Sequence, residues 1–281
     1  MTGVKSAFAA FCVLLLLTGY AWSDYADKTL TSGEVRVFYS TSSPASCDVI
    51  LFGVGTNMGV DQYDKMSNEL ISYGYVVGIM DHNPGNMVKT DATKFTTLVE
   101  DIKLEMVDWL ATSGCTTIAH WIVGGHSASG QAAQEALSVD PALADAIYSM
   151  DPYDATAVGN VLLPALYWGF DVTTCQVTKS DAAEAAYLRS DGQRVFHRVA
   201  KKSKWGLCFV NYEYYHCSIA DQGCTIFCSN CKSTPNHFYV DVANSVHKFI
   251  EAAFYGAWSK ENLAVDNPTT PITLFVDTDL P

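Results

Sequence analysis

Basic residues are scarce in this chain. Its 17 Lys and Arg stand against 30 Asp and Glu, a formal net charge of −13. A protein that grips nucleic acid or an anionic membrane surface by charge needs the opposite balance, so neither is an expected partner. The glycine-rich loop Gly53-Val54-Gly55-Thr56-Asn57 has no Walker lysine and no G-x-G-x-x-G spacing, which removes the usual phosphate-cradling motifs. Beyond the N-terminal segment, no stretch is apolar over the roughly 20 residues that a spanning helix needs. There is no internal repeat, low-complexity tract or Pro/Ser-rich linker. With 281 residues, 49% of them apolar, the chain can bury one sizeable core, and one large domain is expected.

The N-terminus reads as an export signal. Lys5 supplies the positive end, Ala7 to Leu17 form an apolar run, and Ala21-Trp22-Ser23 has the small-x-small pattern of a cleavage site. Residues 1–23 are therefore expected to be a signal peptide. The destination is the exterior or the lumen of the secretory pathway, and routing onward to a vacuole or plastid stays open. Of nine cysteines, Cys12 would leave with the signal. Cys47, Cys115, Cys175, Cys208, Cys217, Cys224, Cys228 and Cys231 remain, an even set that reads as up to four disulfides in an exported chain. The cluster from Cys217 to Cys231 lacks the regular paired C-x-x-C spacing of a zinc site, and no metal is expected.

Periodicity gives alternating buried strands and amphipathic helices. Val35–Tyr39, Asp48–Phe52, Tyr75–Met80, Thr117–Val123, Ala146–Met150, Val161–Trp168 and Leu207–Tyr212 read as strands, the last of these as the final one. Helices are expected from Met66 to Tyr73, after the cap Asp91, from Gln131 to Ser138, and from Asp241 to Ala257. This alternation implies an α/β fold, a mostly parallel central sheet with helices on both faces. Residues 24–258 make up the expected α/β domain. Residues 259–281, with Pro268, Pro271 and several threonines, are expected to be an extended C-terminal tail lying over its surface.

The sharpest chemical signal is Gly124-Gly125-His126-Ser127-Ala128-Ser129-Gly130, set between a strand and a helix. That is the context of a nucleophile elbow, where small residues two before and two after the serine let the chain turn tightly. Ser129 stands where G-x-S-x-G has its second glycine. A serine needs a base, and the base needs an orienting acid. In the elbow fold these follow in the order Ser, acid, His, which sets aside His82, His120 and His126 as base. His247 falls in the middle of the last helix and His197 in a basic, surface-like segment. That leaves His216, in a loop after a strand, and His237, just before the last helix. Asp151 and Asp171 both follow strands and compete as the acid; position alone does not choose. The first oxyanion donor should be the amide of Ala128, and the second should come from the Gly53–Asn57 loop.

Several segments, in order, resemble the chlorophyllase family of α/β-hydrolases. Leu51-Phe52-Gly53-Val54-Gly55-Thr56 running on to Tyr63, Ile71–Val77, Gly125-His126-Ser127, Met150-Asp151-Pro152, Phe209-Val210 with Tyr214-Tyr215-His216 and Asp221, and Phe249–Gly256 carry the likeness, over roughly Val49 to Trp258. The resemblance implies Ser127, Asp151 and His216 as triad and the amides of Thr56 and Ala128 as oxyanion hole. It needs no cofactor. Asp151-Pro152 also resembles the acid motif of secreted neutral lipases. Two segments depart from the chlorophyllase pattern: Val54 replaces its loop histidine, and Ala128-Ser129-Gly130 replaces Arg-Gly-Gly.

The resulting expectation is a serine esterase acting on a small-molecule ester with a bulky apolar group, the phytyl ester of chlorophyll being what the family implies. A secreted lipase- or cutinase-like esterase on lipid or aryl esters is the alternative within the enzyme class. A non-catalytic binding protein on the same fold is the alternative outside it.

Overall fold

The computed structural model describes residues 23–41, 46–111, 113–154, 159–171, 181–200, 202–205, 210–214, 216–221 and 234–277. The expected signal peptide falls almost entirely outside them, as do Cys12, Cys175, Cys208, Cys224, Cys228 and Cys231.

In chain order the strands are β1 (Ser23–Leu30), β2 (Gly33–Ser40), β3 (Ser46–Gly53), β4 (Val76–Asp81), β5 (Thr117–His126), β6 (Ala146–Met150), β7 (Ala165–Phe170), β8 (Arg194–Val199), β9 (Lys202–Trp205), β10 (Val210–Glu213) and β11 (Ile272–Asp277). The helices are α1 (Asp64–Ile71), α2 (Ala92–Trp109), α3 (Ser127–Val139), α4 (Ala182–Leu188), α5 (Asn236–Ile250) and α6 (Lys260–Leu263). Nine strands form one sheet in the order β1-β2-β4-β3-β5-β6-β7-β8-β11. From β4 to β8 every neighbouring pair is parallel. The pairs β1/β2, β2/β4 and β8/β11 are antiparallel. The protein is thus α/β with a mostly parallel sheet.

Side chains alternate across that sheet, as the period of two requires. Ile50 and Phe52 join Met66, Leu70, Val242 and Val246 in the core under α1 and α5. Val49 and Leu51 join Phe95, Leu98, Ile102 and Ala132 in the core under α2 and α3. The central strands are buried on both faces, so their sequences are continuous apolar runs rather than alternating ones. Asp91 caps α2 by accepting from the Lys94 amide at 3.0 Å. Cys47 and Cys115 are joined in a disulfide that ties the start of β3 to the turn before β5, and Cys217 is disulfide-bonded as well. Among the described residues no helix is long and apolar enough to cross a membrane.

Three expectations need correction. The strand expected within Leu207–Tyr212 does not close the main sheet; β10 pairs with β9 in a separate two-stranded ribbon. The last parallel strand is β8, and His197 on it is buried rather than at the surface. The two arginines of β8 pair with carboxylates distant in sequence. Arg194 pairs with Asp277 at 2.6 Å and Arg198 with Asp171 at 2.5 Å. The C-terminal tail does not simply lie over the surface. Its Ile272–Asp277 run is rich in β-branched and aromatic residues, which favour strand, and it adds an edge strand against β8.

Candidate active site

Loops at the carboxyl ends of β3, β4, β5 and β6 converge on one edge of the sheet, the usual place for ligands in open α/β folds. Among the described residues four non-glycines have positive φ: Asn57 (58°), Ser127 (55°), Asp151 (43°) and Asn267 (48°). Three of the four belong to this edge. Such backbone persists only where its surroundings over-determine it, and it concentrates at functional sites.

Ser127 is the first residue of α3, directly after β5. The chain reverses from strand to helix within one residue, which forces the left-handed φ. Ser129, the departure from G-x-S-x-G, is accommodated by a change elsewhere. A Cβ on Gly53 would come 2.6 Å from the Ser129 Cβ, so glycine in the neighbouring strand supplies the room. The Ser129 hydroxyl then donates to the Val54 carbonyl, binding the elbow to the loop after β3.

Asp151 and His216 meet. His216 Nδ1 lies 2.6 Å from Asp151 Oδ2, with both side chains buried. The carboxylate accepts from Nδ1–H, so Nε2 is left as an acceptor. Asp151 directly follows β6, and its amide donates to Trp168 O on β7 at 2.7 Å. The Tyr153 amide donates to Ser127 O at 2.9 Å, which ties the loop after β6 to the turn at Ser127.

The rival acid is engaged elsewhere, since Asp171 accepts from Arg198 Nε at 2.5 Å on the exposed side of β8. The rival base, His237, is the second residue of α5, and its Nε2 lies 2.6 Å from the Tyr214 hydroxyl. His247 stacks on Tyr73 with centroids 4.4 Å apart, the structural role its helical position suggested.

Most amides in the loop after β3 are already used. Val54 N–H donates to Met80 O, Gly55 N–H to the Tyr63 hydroxyl, Asn57 N–H to Met87 O and Met58 N–H to Gly55 O. Thr56 is the remaining one, with no partner among the described residues. The Ala128 amide lies in the first turn of α3, where backbone N–H groups have no intrahelical acceptor. The N–H groups of Thr56 and Ala128 thus have no acceptor among the described residues.

His216 opens a 3₁₀ turn, His216–Ile219, pinned at both ends. Past it, the Asp221 amide donates to Gln62 O at 2.7 Å, and the Asp221 carboxylate accepts from the Lys65 amide in the first turn of α1. Burial outweighs those contacts and pushes the Asp221 carboxyl up to about 6. At its start, the His216 carbonyl accepts from His126 Nε2 at 2.8 Å. The expected order Ser, acid, His gives His126 no role as base. Its placement in the tightest turn of the sheet was the signal that it had to be buried and partnered.

Neither a protein-family model nor a curated protein matches the chain.

Proposed function

We propose that the protein is an α/β-hydrolase-type serine esterase that cleaves a carboxylic ester carrying a bulky apolar group. The observation that carries this reading is the buried Asp151–His216 pair beside the strained strand-to-helix turn headed by Ser127. The sheet order from β1 to β8, with the parallel run interrupted only at its β2 edge, supports the hydrolase fold.

In this mechanism His216 Nε2 takes the proton of Ser127 Oγ as that oxygen attacks the ester carbonyl. Asp151 keeps the imidazole in the one tautomer that can do so, and stabilises the imidazolium that forms. The amides of Thr56 and Ala128 bind the carbonyl oxygen as it becomes an anion. His216 then passes the proton to the departing alcohol. Water repeats the sequence on the acyl-enzyme and frees the acid.

Apolar side chains border this edge and favour an apolar substrate. Met87 is 48% exposed, Val88 61% and Tyr153 39%. The segment bearing Met87 and Val88 is held firmly. Buried Lys89 donates to both carboxylate oxygens of Asp81, at 2.7 and 2.8 Å, and to Asn83 O at 2.6 Å. Together with the chlorophyllase resemblance, this makes a phytyl or similar long-chain ester the first substrate to try. The Cys47–Cys115 bridge supports export through an oxidising compartment.

The test is hydrolysis of a panel of chlorophyll, acyl and aryl esters by the mature protein. Ser127→Ala should remain folded and lose activity by about 10³-fold or more. No turnover of any ester by a folded wild type would favour a binding protein on this fold.

A further inference from the structure

His126 occupies the variable position of the elbow, immediately before Ser127, and it is fully buried. Burial and the neighbouring His216 ring, 4.5 Å away between centroids, push its pKa well below that of a free histidine. The imidazole is therefore neutral and carries one N–H. Its Nε2 faces the His216 carbonyl at 2.8 Å, and a carbonyl can only accept. The proton must then be on Nε2, which leaves Nδ1 as an acceptor.

Tyr63 lies at that nitrogen. Its hydroxyl is 2.9 Å from His126 Nδ1 and also 2.9 Å from the Met58 sulfur. A hydroxyl has one proton, and the imidazole nitrogen is the better acceptor. The same oxygen accepts from the Gly55 amide at 2.9 Å. Every proton in the chain now has one direction: Gly55 N–H to Tyr63 oxygen, Tyr63 O–H to His126 Nδ1, His126 Nε2–H to His216 carbonyl. One end of this chain is the residue next to the free Thr56 amide, and the other is the backbone of the base. A Cβ on residue 55 would come 2.8 Å from His126 Nδ1, so the loop closes on the imidazole without spare space.

We propose that His126 and Tyr63 are positioning residues that hold the oxyanion loop and the base loop in register about Ser127. This rests on the esterase reading above. Neither residue touches the reacting atoms. Loss of the chain lets the two loops relax separately, and displacements of about 1 Å at a reacting centre can lower rates 10²-fold.

The experiment compares second-order rates of labelling by a fluorophosphonate, and kcat and KM on p-nitrophenyl butyrate, for wild type, His126→Leu, His126→Asn, His126→Gln and Tyr63→Phe. Thermal unfolding is followed in parallel. Glutamine carries an amide N–H at about the reach of Nε2 and can still donate to the His216 carbonyl. Asparagine is shorter and cannot. His126→Leu and His126→Asn should label about 10²-fold more slowly, with the loss in kcat rather than KM. His126→Gln should recover to within about tenfold of wild type, and Tyr63→Phe should lose about tenfold.

His126→Leu labelling within threefold of wild type overturns the proposal. So does an equal loss in the Gln and Leu variants, because the donor to His216 would then not matter. If His126→Leu does not fold, Tyr63→Phe at wild-type rate with unchanged Tm overturns it instead. A folded wild type that takes no label at Ser127 sinks the esterase reading itself, a result separable from wild type and variants labelling alike.

Discussion

His197 offers a quantitative check on the fold. It is 1% exposed in β8, and its ring lies parallel to Trp168 at 7° with centroids 5.0 Å apart. Neither ring nitrogen has a hydrogen-bond partner among the described residues. Burial pushes its pKa down to about 3, against about 6.5 for a histidine in the unfolded chain. At pH 7 the folded side chain is neutral and the unfolded one mostly so, and the residue contributes little pH dependence. As pH falls below about 6.5, the unfolded chain takes up a proton that the folded protein refuses, so stability is lost. The loss continues down to about pH 3, where the folded side chain protonates too. At pH 4.5 this single group should cost about 2–3 kcal/mol relative to pH 7, from about two pH units at roughly 1.4 kcal/mol each. His197→Leu removes the titrating group. Any repacking penalty it brings is the same at both pH values and cancels in the comparison. Urea unfolding of wild type and His197→Leu at pH 7 and 4.5 measures the difference directly. The variant should gain about 2–3 kcal/mol on wild type between the two conditions. A stability difference that stays constant within about 0.5 kcal/mol would mean that His197 is hydrated or partnered in solution, and the placement of β8 would be wrong.

Two further outcomes follow from the site and from the disulfide. Asp151→Asn should lower ester hydrolysis by about 10⁴-fold, because the base loses its tautomer and its counter-charge. Asp171→Asn should leave the rate within a few-fold, since it breaks only an exposed pair with Arg198; kcat/KM on one aryl ester compares them. Replacing Cys47 and Cys115 together by alanine should lower stability by about 4 kcal/mol, since the bridge closes a loop with a sequence separation of 68; chemical denaturation at fixed pH measures it.

What the sequence revealed depended on how local the information was. The elbow at Ser127 was legible because its glycines, strand and helix are contiguous. The cap at Asp91 was legible for the same reason. Asp151 and His216 could be proposed only from order and resemblance, because 65 residues separate them and no local pattern joins them. Asp171 looked as good a candidate as Asp151 because both follow strands. What separates them is Arg198, which reaches Asp171 from the neighbouring strand. β8 was missed because its arginines and the lysines that follow mark a solvated segment locally, whereas the pairing of Arg194 with Asp277 is a tertiary contact. β11 was hidden by the prolines and threonines preceding it. Ser129 looked like a defect in the elbow, and only the adjacent strand shows that Gly53 makes the space it needs. His126 was set aside as base by the order Ser, acid, His. Its partnership with Tyr63 and with the His216 carbonyl is a tertiary contact that no spacing rule encodes.

The central claim is that Ser127 is an activated nucleophile. The most direct measurement is reaction of the folded mature protein with a fluorophosphonate at neutral pH, followed by intact mass and peptide mapping of the adduct. The account expects one phosphonyl group per chain, on Ser127, and none on folded Ser127→Ala. An unlabelled wild type, or an adduct that maps to another residue and persists in Ser127→Ala, contradicts it.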